Sequence, residues 1–258
     1  MPQSASYRRS GRRHKRARVG MPLRIILVLV LIGILYLTAS LFFRVQFVEV
    51  NGVQRYSAEE IKQVSGIEMG TSLIGLQSQR IGRALSDHFA YIETCRVHMR
   101  LPDTAVIEIT ECTAIAYIES QNARWVVSDS GKLLERRTTA IGDLPEIRGM
   151  LLEEPQVNSR IVCDERVKED AYFALIESFT DRDILRDVEW IDIATVANVS
   201  FLYREVFTVR LGLVGDLDYK LDTLGYVVDE LMKTPNVKGT IDLSDCVETR
   251  RARFYEEI

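Results

Sequence analysis

The chain has 258 residues, and its 33 Lys and Arg against 37 Asp and Glu give a formal net charge of −4. Residues 44–258 hold 25 of the basic residues and all 37 acidic ones, a formal charge of −12. Nucleic-acid binding requires a basic face, so we expect no nucleic-acid partner for this acidic part. Its length suits one large domain or two small ones.

The N-terminal 43 residues have the pattern of a membrane anchor. Residues 1–24 carry eight Lys or Arg and no acid, and residues 25–43 carry no charge. An uncharged apolar run of this length matches the roughly 20 residues of helix that cross a bilayer. Basic residues beside a span stay in the cytoplasm. We therefore predict a disordered cytoplasmic tail (1–24), a transmembrane helix (25–43) and an extracytoplasmic remainder.

These features predict a single-pass type II protein of the cell membrane. A cleavable signal peptide is the alternative for the apolar run. Its apolar region usually spans only about 7–15 residues and ends at a cluster of small residues. Here the run is longer, and the small residues at 38–40 are followed by further apolar chain. The pattern therefore favours an uncleaved anchor.

Residues 44–112 predict a small domain built as strand, helix, helix, strand and strand. Alternating residues at 44–50 predict the first strand. Ser57 and Glu60 have the spacing of a capping box, so the first helix should begin there and end at Gly66. The remaining elements are a helix from about Gln77 and two strands, Tyr91–Arg100 and Thr104–Cys112.

Residues 113–245 predict a mixed, mostly antiparallel β domain with two helices, so the fold class is α+β. Asp164 or Glu165 should cap its first helix, and Asp218 should begin its second. The inward positions of the first helix are Val167, Ala171, Ala174, Leu175 and Phe179, and those of the second are Leu221, Leu224, Val228 and Leu231. Leu144–Gly149 predicts a break between strands, and residues 246–258 predict a C-terminal tail. The predicted strands include Ala114–Glu119, Arg124–Val127, Val188–Ile193, Val199–Tyr203, Phe207–Leu211 and Thr240–Ser244.

The four cysteines do not predict a disulfide framework. If Arg96 pairs with Glu108 in a hairpin, Cys95 and Cys112 lie on opposite faces of the sheet and cannot be bridged. We favour free, mostly buried cysteines that act as small apolar groups. The sequence leaves open whether Cys163 and Cys246 meet.

The sequence lacks the motifs of a catalytic or metal site. Its three histidines stand apart, and none of the common protease, hydrolase, redox or phosphate-loop motifs occurs in it. We therefore expect no enzymatic activity, no cofactor, no metal and no small-molecule substrate. A folded exterior without such a site is typical of a protein that binds other proteins.

The order of these parts resembles the DivIB/FtsQ family of bacterial cell-division proteins. The likeness covers nearly the whole chain, and the order of the motifs is more specific than any one of them. The matching stretches are Phe47–Gly52, Leu101-Pro102, Ile107–Glu111, Trp125–Gly131, Leu144–Gly149 and Lys220–Leu224.

The resemblance implies a POTRA domain at 44–112 and the family's β domain at 113–245. It also implies a non-catalytic scaffold of the division machinery at the septum. Its expected partners are two small coiled-coil membrane proteins, FtsL and DivIC, the latter called FtsB in other bacteria.

In the family, the last strand of the β domain and the chain after it bind partners. A strand at a sheet edge has unpaired amides and carbonyls to which an extended partner segment can add. Phe254 and Tyr255 are candidate apolar anchors at this contact, or they fold back onto the domain. The resemblance assigns the strand itself to Thr240, Ile241, Asp242, Leu243 and Ser244.

Three alternatives remain open from the sequence. The strand at 240–244 could be an ordinary edge protected by charge. The strand at Val45–Val50 could be a second binding edge, or the first domain could only be a spacer above the bilayer. The whole chain could instead be a POTRA-bearing membrane protein of export or envelope assembly, although it has neither repeated POTRA units nor a β-barrel.

Overall fold

The computed structural model describes residues 21–139 and 141–257, so most of the predicted basic tail lies outside the described residues. The helices are α1 (Met21–Phe42), α2 (Ala58–Ser65), α3 (Ser78–His88), α4 (Arg166–Asp181), α5 (Leu217–Leu231) and α6 (Cys246–Thr249). The strands are β1 (Phe47–Asn51), β2 (Ile92–Arg100), β3 (Thr104–Glu111), β4 (Ala114–Ser120), β5 (Ala123–Ser128), β6 (Leu133–Arg137), β7 (Glu146–Arg148), β8 (Val188–Asp192), β9 (Val199–Tyr203), β10 (Phe207–Gly212), β11 (Gly239–Asp242) and β12 (Arg253–Glu256).

Helix α1 exposes apolar side chains all along its described length. Its large apolar side chains between Leu23 and Leu37 are each at least 51% exposed. Among the described residues, no helix combines the length and the apolar character that crossing a membrane demands. The structure does not describe the side chains of residues 39–41. The transmembrane helix at 25–43 therefore stays a prediction.

The first domain is a three-stranded sheet with α2 and α3 on one face. The strand order is β1-β3-β2, in which β1 runs parallel and β2 antiparallel to β3. Ile61 of α2 and Leu85 of α3 pack with Ile107 and Ile109 of β3 in its core. The predicted order of strand, helix, helix, strand and strand is confirmed.

Helix α2 begins and ends where its capping residues predict. The Ser57 hydroxyl accepts a hydrogen bond from the Glu60 amide at 3.2 Å, and the Glu60 carboxylate accepts one from the Ser57 amide at 3.0 Å. Gly66 ends the helix with φ of 65°, a left-handed conformation that favours glycine. Both helix ends are thus fixed by local chemistry.

The second domain is a nine-stranded sheet in the order β12-β11-β10-β9-β8-β7-β4-β5-β6. The pairs β4–β7, β7–β8 and β10–β11 are parallel and the others antiparallel, which confirms a mixed, mostly antiparallel sheet. Helices α4 and α5 pack on one face through residues that include Phe179 and Leu224. A row of apolar side chains in register crosses that face: Ile118, Ile147, Ile191, Phe201, Val209, Ile241 and Phe254.

Three predictions about this domain are wrong. The segment Leu144–Gly149 contains β7, a central strand that pairs in parallel with β4 and β8, because Ile147 supplies the middle of the apolar row. Val167 is 62% exposed, because burial along α4 begins only one turn later at Ala171. Residues 246–258 are not a free tail, because β12 completes the sheet.

All four cysteines are free, and Cys95 is the one that is only half-buried. The register Arg96 opposite Glu108 is confirmed. The Cys112 thiol lies between the domains and donates a hydrogen bond to Glu93 at 3.1 Å. Burial, together with this acceptor, raises the pKa of Cys112 to about 12, so the thiol stays protonated at neutral pH.

Only two residues separate β3 from β4, so the two domains are joined without a linker. Tyr91 and Cys112 from the first domain pack with Val126 and Leu134 from the second in a small apolar cluster. The two domains therefore share a buried contact at their junction.

A partly buried carboxylate, that of Glu135, reinforces this junction. Glu135 of β6 accepts a hydrogen bond from the Tyr91 hydroxyl, pairs with Arg55 at 2.8 Å and receives a hydrogen bond from Arg137 at 2.6 Å. Burial alone would raise the pKa of Glu135, but the hydrogen bonds from Tyr91 and Arg137 and the nearby guanidinium charges outweigh it and lower that pKa. The carboxylate is therefore held ionised between the domains.

Candidate partner-binding edge

The candidate site is the outer edge of β12, the last strand of the chain. β12 pairs antiparallel with β11, with Tyr255 opposite Thr240 and Phe254 opposite Ile241. Strand β11 itself lies between β10 and β12. The prediction that Thr240–Ser244 forms the terminal edge is therefore wrong, because β12 already occupies that edge.

The five residues predicted at 240–244 lie in β11 and in the turn that follows it. Ile241 and Leu243 are fully buried. The Asp242 carboxylate accepts hydrogen bonds from the Ser244 amide at 3.0 Å and the Ser244 hydroxyl at 2.6 Å, which turns the chain after the strand. Burial would raise the pKa of Asp242, but these hydrogen bonds and the charges of two arginines lower it. A role for these residues in partner binding stays a prediction.

Phe254 and Tyr255 point to opposite faces of the sheet. Phe254 packs against the core, with its ring centroid 6.4 Å from that of Phe207, so it folds back onto the domain. The Tyr255 side chain is 52% exposed on the other face, in register with Thr240. Phe254 thus fixes the strand, and Tyr255 is presented to solvent.

The backbone of β12 has a definite pattern of free groups. The Glu257 amide donates to the Lys238 carbonyl at 3.0 Å, so these two residues form a hydrogen-bonded pair. Such pairs alternate along an antiparallel ladder. The amides and carbonyls of Phe254 and Glu256 therefore face away from β11. Within the described residues, no hydrogen bond to a backbone group satisfies these outward positions.

Two local features bring β12 to this position. Gly239 of β11 lies so close to β12 that an added Cβ would be 2.2 Å from the Tyr255 carbonyl oxygen. Arg250 adopts a left-handed conformation with φ of 53° after α6, and Arg253 lies 3.7 Å from Asp245. The sequence carries only a weak signal for this strand, the two aromatic side chains that lie between Arg253 and Glu256.

The opposite edge of the same sheet, β6, differs from this one. At β6, the Leu133 amide donates to the Ser159 carbonyl at 2.8 Å, so a loop covers the start of that strand. In the first domain, β1 and β2 are the edge strands. The predicted edge at Val45–Val50 therefore exists, although Val45 itself is buried and bonded to a loop. Its use by a partner stays a prediction.

No cluster of three His, Cys, Asp or Glu suited to a metal ion occurs in residues 21–139 or 141–257.

Residues 43–111, which hold the three-stranded sheet and its helices, match the family model of a POTRA domain of FtsQ type. The chain thus contains a POTRA domain of the FtsQ type. The named relatives are cell division proteins, which agrees with the expected non-catalytic role.

The similarity to known proteins extends over both domains. The cell division protein DivIB of Clostridium acetobutylicum is 24% identical over 204 residues, which cover 79% of this chain and 80% of that protein. The cell division protein FtsQ of Myxococcus fulvus is 29% identical over 195 residues, which cover 73% and 65%. The major extracytoplasmic domain of DivIB from Geobacillus stearothermophilus overlaps with a TM-score of 0.32 and 18% identity, covering 50% of this chain and 99% of that one.

Proposed function

We propose that the chain is a membrane-anchored scaffold of the bacterial division machinery at the septum. We propose further that the outer edge of β12 binds an extended segment of the FtsL and DivIC (FtsB) pair. The relatives are named cell division proteins, which supports the first part. The second part depends on one observation, the outward-facing backbone groups of Phe254 and Glu256 at the end of the sheet.

Strand addition suits this edge. A partner strand would bond to the free amides and carbonyls of Phe254 and Glu256, and side chains on alternate positions would give specificity. A backbone hydrogen bond contributes only about 0.5–1.5 kcal/mol net, so four such bonds give modest affinity. The exposed Tyr255 ring is the additional anchor, because tyrosines are enriched among the residues that dominate binding energy.

Helix α1 is the proposed membrane anchor. Its exposed apolar side chains surround the helix, and such a helix is stable when lipid or protein covers it on all sides. The eight basic residues that precede the uncharged run place its N-terminus in the cytoplasm. The two domains then lie outside the cytoplasm, where an extracytoplasmic partner segment can reach β12.

The substitution Glu256→Pro tests the binding edge directly. Proline lacks an amide hydrogen and is tolerated in edge strands where that amide faces away from the sheet. We expect the variant to keep its fold, because the Glu256 amide is not bonded to β11, but to recover at least tenfold less of the FtsL–DivIC pair from detergent extracts.

Glu256→Gln is the matched control, because it removes the charge and keeps the amide. We expect it to recover the pair as the unsubstituted chain does. Thermal unfolding of all three proteins checks the fold. Undiminished recovery by a folded Glu256→Pro variant would refute binding at this edge.

A further inference from the structure

Four exposed apolar side chains surround the point where α1 meets the first domain. They are Phe42, Phe47, Met69 and Leu101, with exposures of 75%, 59%, 68% and 59%. We propose that these four residues form a collar that lies in the polar interface of the lipid bilayer and seats the first domain on the membrane. This inference rests on the proposed anchoring by α1.

The connection between α1 and β1 is short and is bonded to the first domain. Only residues 43–46 separate them, and the domain binds that segment through its backbone. The Phe43 carbonyl accepts a hydrogen bond from the Leu73 amide at 3.0 Å, and the Gln46 amide donates to the Asp103 carbonyl at 2.8 Å. Helix and domain are therefore joined as one piece, and the domain stays beside the surface from which α1 emerges.

Two loops flank this connection and carry the other collar residues. The Val45 amide donates to the Thr71 carbonyl at 2.9 Å, and the Val45 carbonyl accepts from the Gly70 amide at 2.8 Å. This holds the loop with Met69 on one side of the connection. The hydrogen bonds to Asp103 hold the turn with Leu101 beside it. Both loops thus lie at the end of the domain from which α1 leaves.

A lipid surface is the occupant that fits this collar. The collar continues the exposed apolar surface of α1, whose large side chains are uncovered along the helix. Arg44 lies within the collar, and its guanidinium donates to the Gly70 carbonyl at 3.3 Å. A long cationic side chain beside apolar ones matches the interface, where the charge reaches phosphate groups and the stem stays in apolar surroundings.

Contact of the first domain with the membrane would also fix the position of the β12 edge. The first domain is fixed to α1 by the connection at 43–46, and the second domain is fixed to the first by the contacts of Glu135 and by the junction at Cys112. A domain seated on lipid in this way holds β12 at a constant height and orientation. Partners would then meet the edge at a defined distance from the membrane.

Site-specific fluorescence in vesicles tests the collar. Leu101→Cys and Met69→Cys are each introduced into a full-length chain whose four native cysteines are replaced by alanine, because all four are free thiols. The variants are labelled with an environment-sensitive thiol probe and reconstituted into phosphatidylcholine–phosphatidylglycerol vesicles. Leu151→Cys is the matched control, since Leu151 is 60% exposed but belongs to the second domain. Leu35→Cys, within α1, reports the anchor itself.

We expect lipids with a nitroxide near the headgroup to quench the probes at 69 and 101 at least threefold more than the probe at 151, and aqueous iodide to show the reverse. The probe at 35 is tested with a nitroxide at the end of the acyl chain, because residue 35 lies near the middle of the proposed span. If that nitroxide quenches the probe at 35 while the probes at 69 and 101 behave like the one at 151, the collar is refuted and the anchor stands. If the probe at 35 also escapes quenching, the anchor and the collar both fail.

Discussion

The two ends of the nine-stranded sheet differ in what covers them. At the β6 end, a loop bonds to Leu133, and Glu135 connects the strand to Tyr91 and Arg55 of the first domain. At the β12 end, Phe254 and Glu256 direct their backbone groups outward, and nothing among the described residues covers them.

This difference separates a covered edge from an edge with unpaired backbone groups. Sheet edges with unpaired backbone groups invite association, and proteins usually cover or charge them. The β6 edge is covered by the chain's own domain junction. The β12 edge is short and carries Arg253 and Glu256, two features that limit unspecific pairing, and no strand among the described residues pairs with its outer side.

The largest expected effect on stability comes from a proline substitution in β11, which we compare with one in β12. Ile241 is fully buried, and the Gly239 amide two residues earlier donates to Val206, so the Ile241 amide also faces β10. Ile241→Pro removes this amide and an apolar side chain from a strand that is paired on both sides. We expect a loss of about 3 kcal/mol or more in the free energy of unfolding, measured by urea denaturation.

Glu256→Pro provides the contrast, because its amide lies on the open side of the ladder. We expect its unfolding free energy to stay close to that of the unsubstituted chain. Equal losses for Ile241→Pro and Glu256→Pro would mean that β12 is not an edge.

A smaller effect is expected at the covered end. The pKa of Glu135 is lowered, so its stabilising contribution is complete above the ordinary carboxyl pKa of 4.5 and is lost as the pH falls through the lowered value. Glu135→Gln should lower the free energy of unfolding by about 2 kcal/mol at pH 7. The difference in unfolding free energy between this variant and the unsubstituted chain should become smaller below pH 4.5. Thermal and urea unfolding between pH 7 and pH 3 measure it.

Glu119→Gln is the control for this effect. Glu119 is more than half exposed and lies 3.7 Å from Arg124, and exposed ion pairs contribute about 0–1 kcal/mol. Its stability should therefore differ little from that of the unsubstituted chain at every pH. If the loss of unfolding free energy in Glu135→Gln is the same at every pH, the ionised Glu135 carboxylate does not stabilise the domain junction.

Local signals in the sequence predicted much of the fold. The Ser57 and Glu60 pair set the start of α2, and the charges of Arg96 and Glu108 gave the register of β2 and β3. Such features involve residues close in sequence or directly opposite in a hairpin, where side-chain periodicity is informative.

The open edge could not be predicted in the same way. β12 is four residues long, and two of them are charged, so it resembles a solvated tail in the sequence. Its place depends on pairing with Gly239, whose approach to Tyr255 is visible only in the folded chain. β7 was missed for a related reason, since three residues flanked by Pro and Gly have too little pattern to indicate a central strand.

Amide hydrogen exchange of the full-length chain, with and without the FtsL–DivIC pair, tests the central claim most directly. We predict that the amides of Phe254 and Glu256 exchange at least tenfold more slowly in the complex, while those of β6 do not change. Unchanged exchange at Phe254 and Glu256 in a saturated complex, with new protection at another edge such as β1, would contradict it.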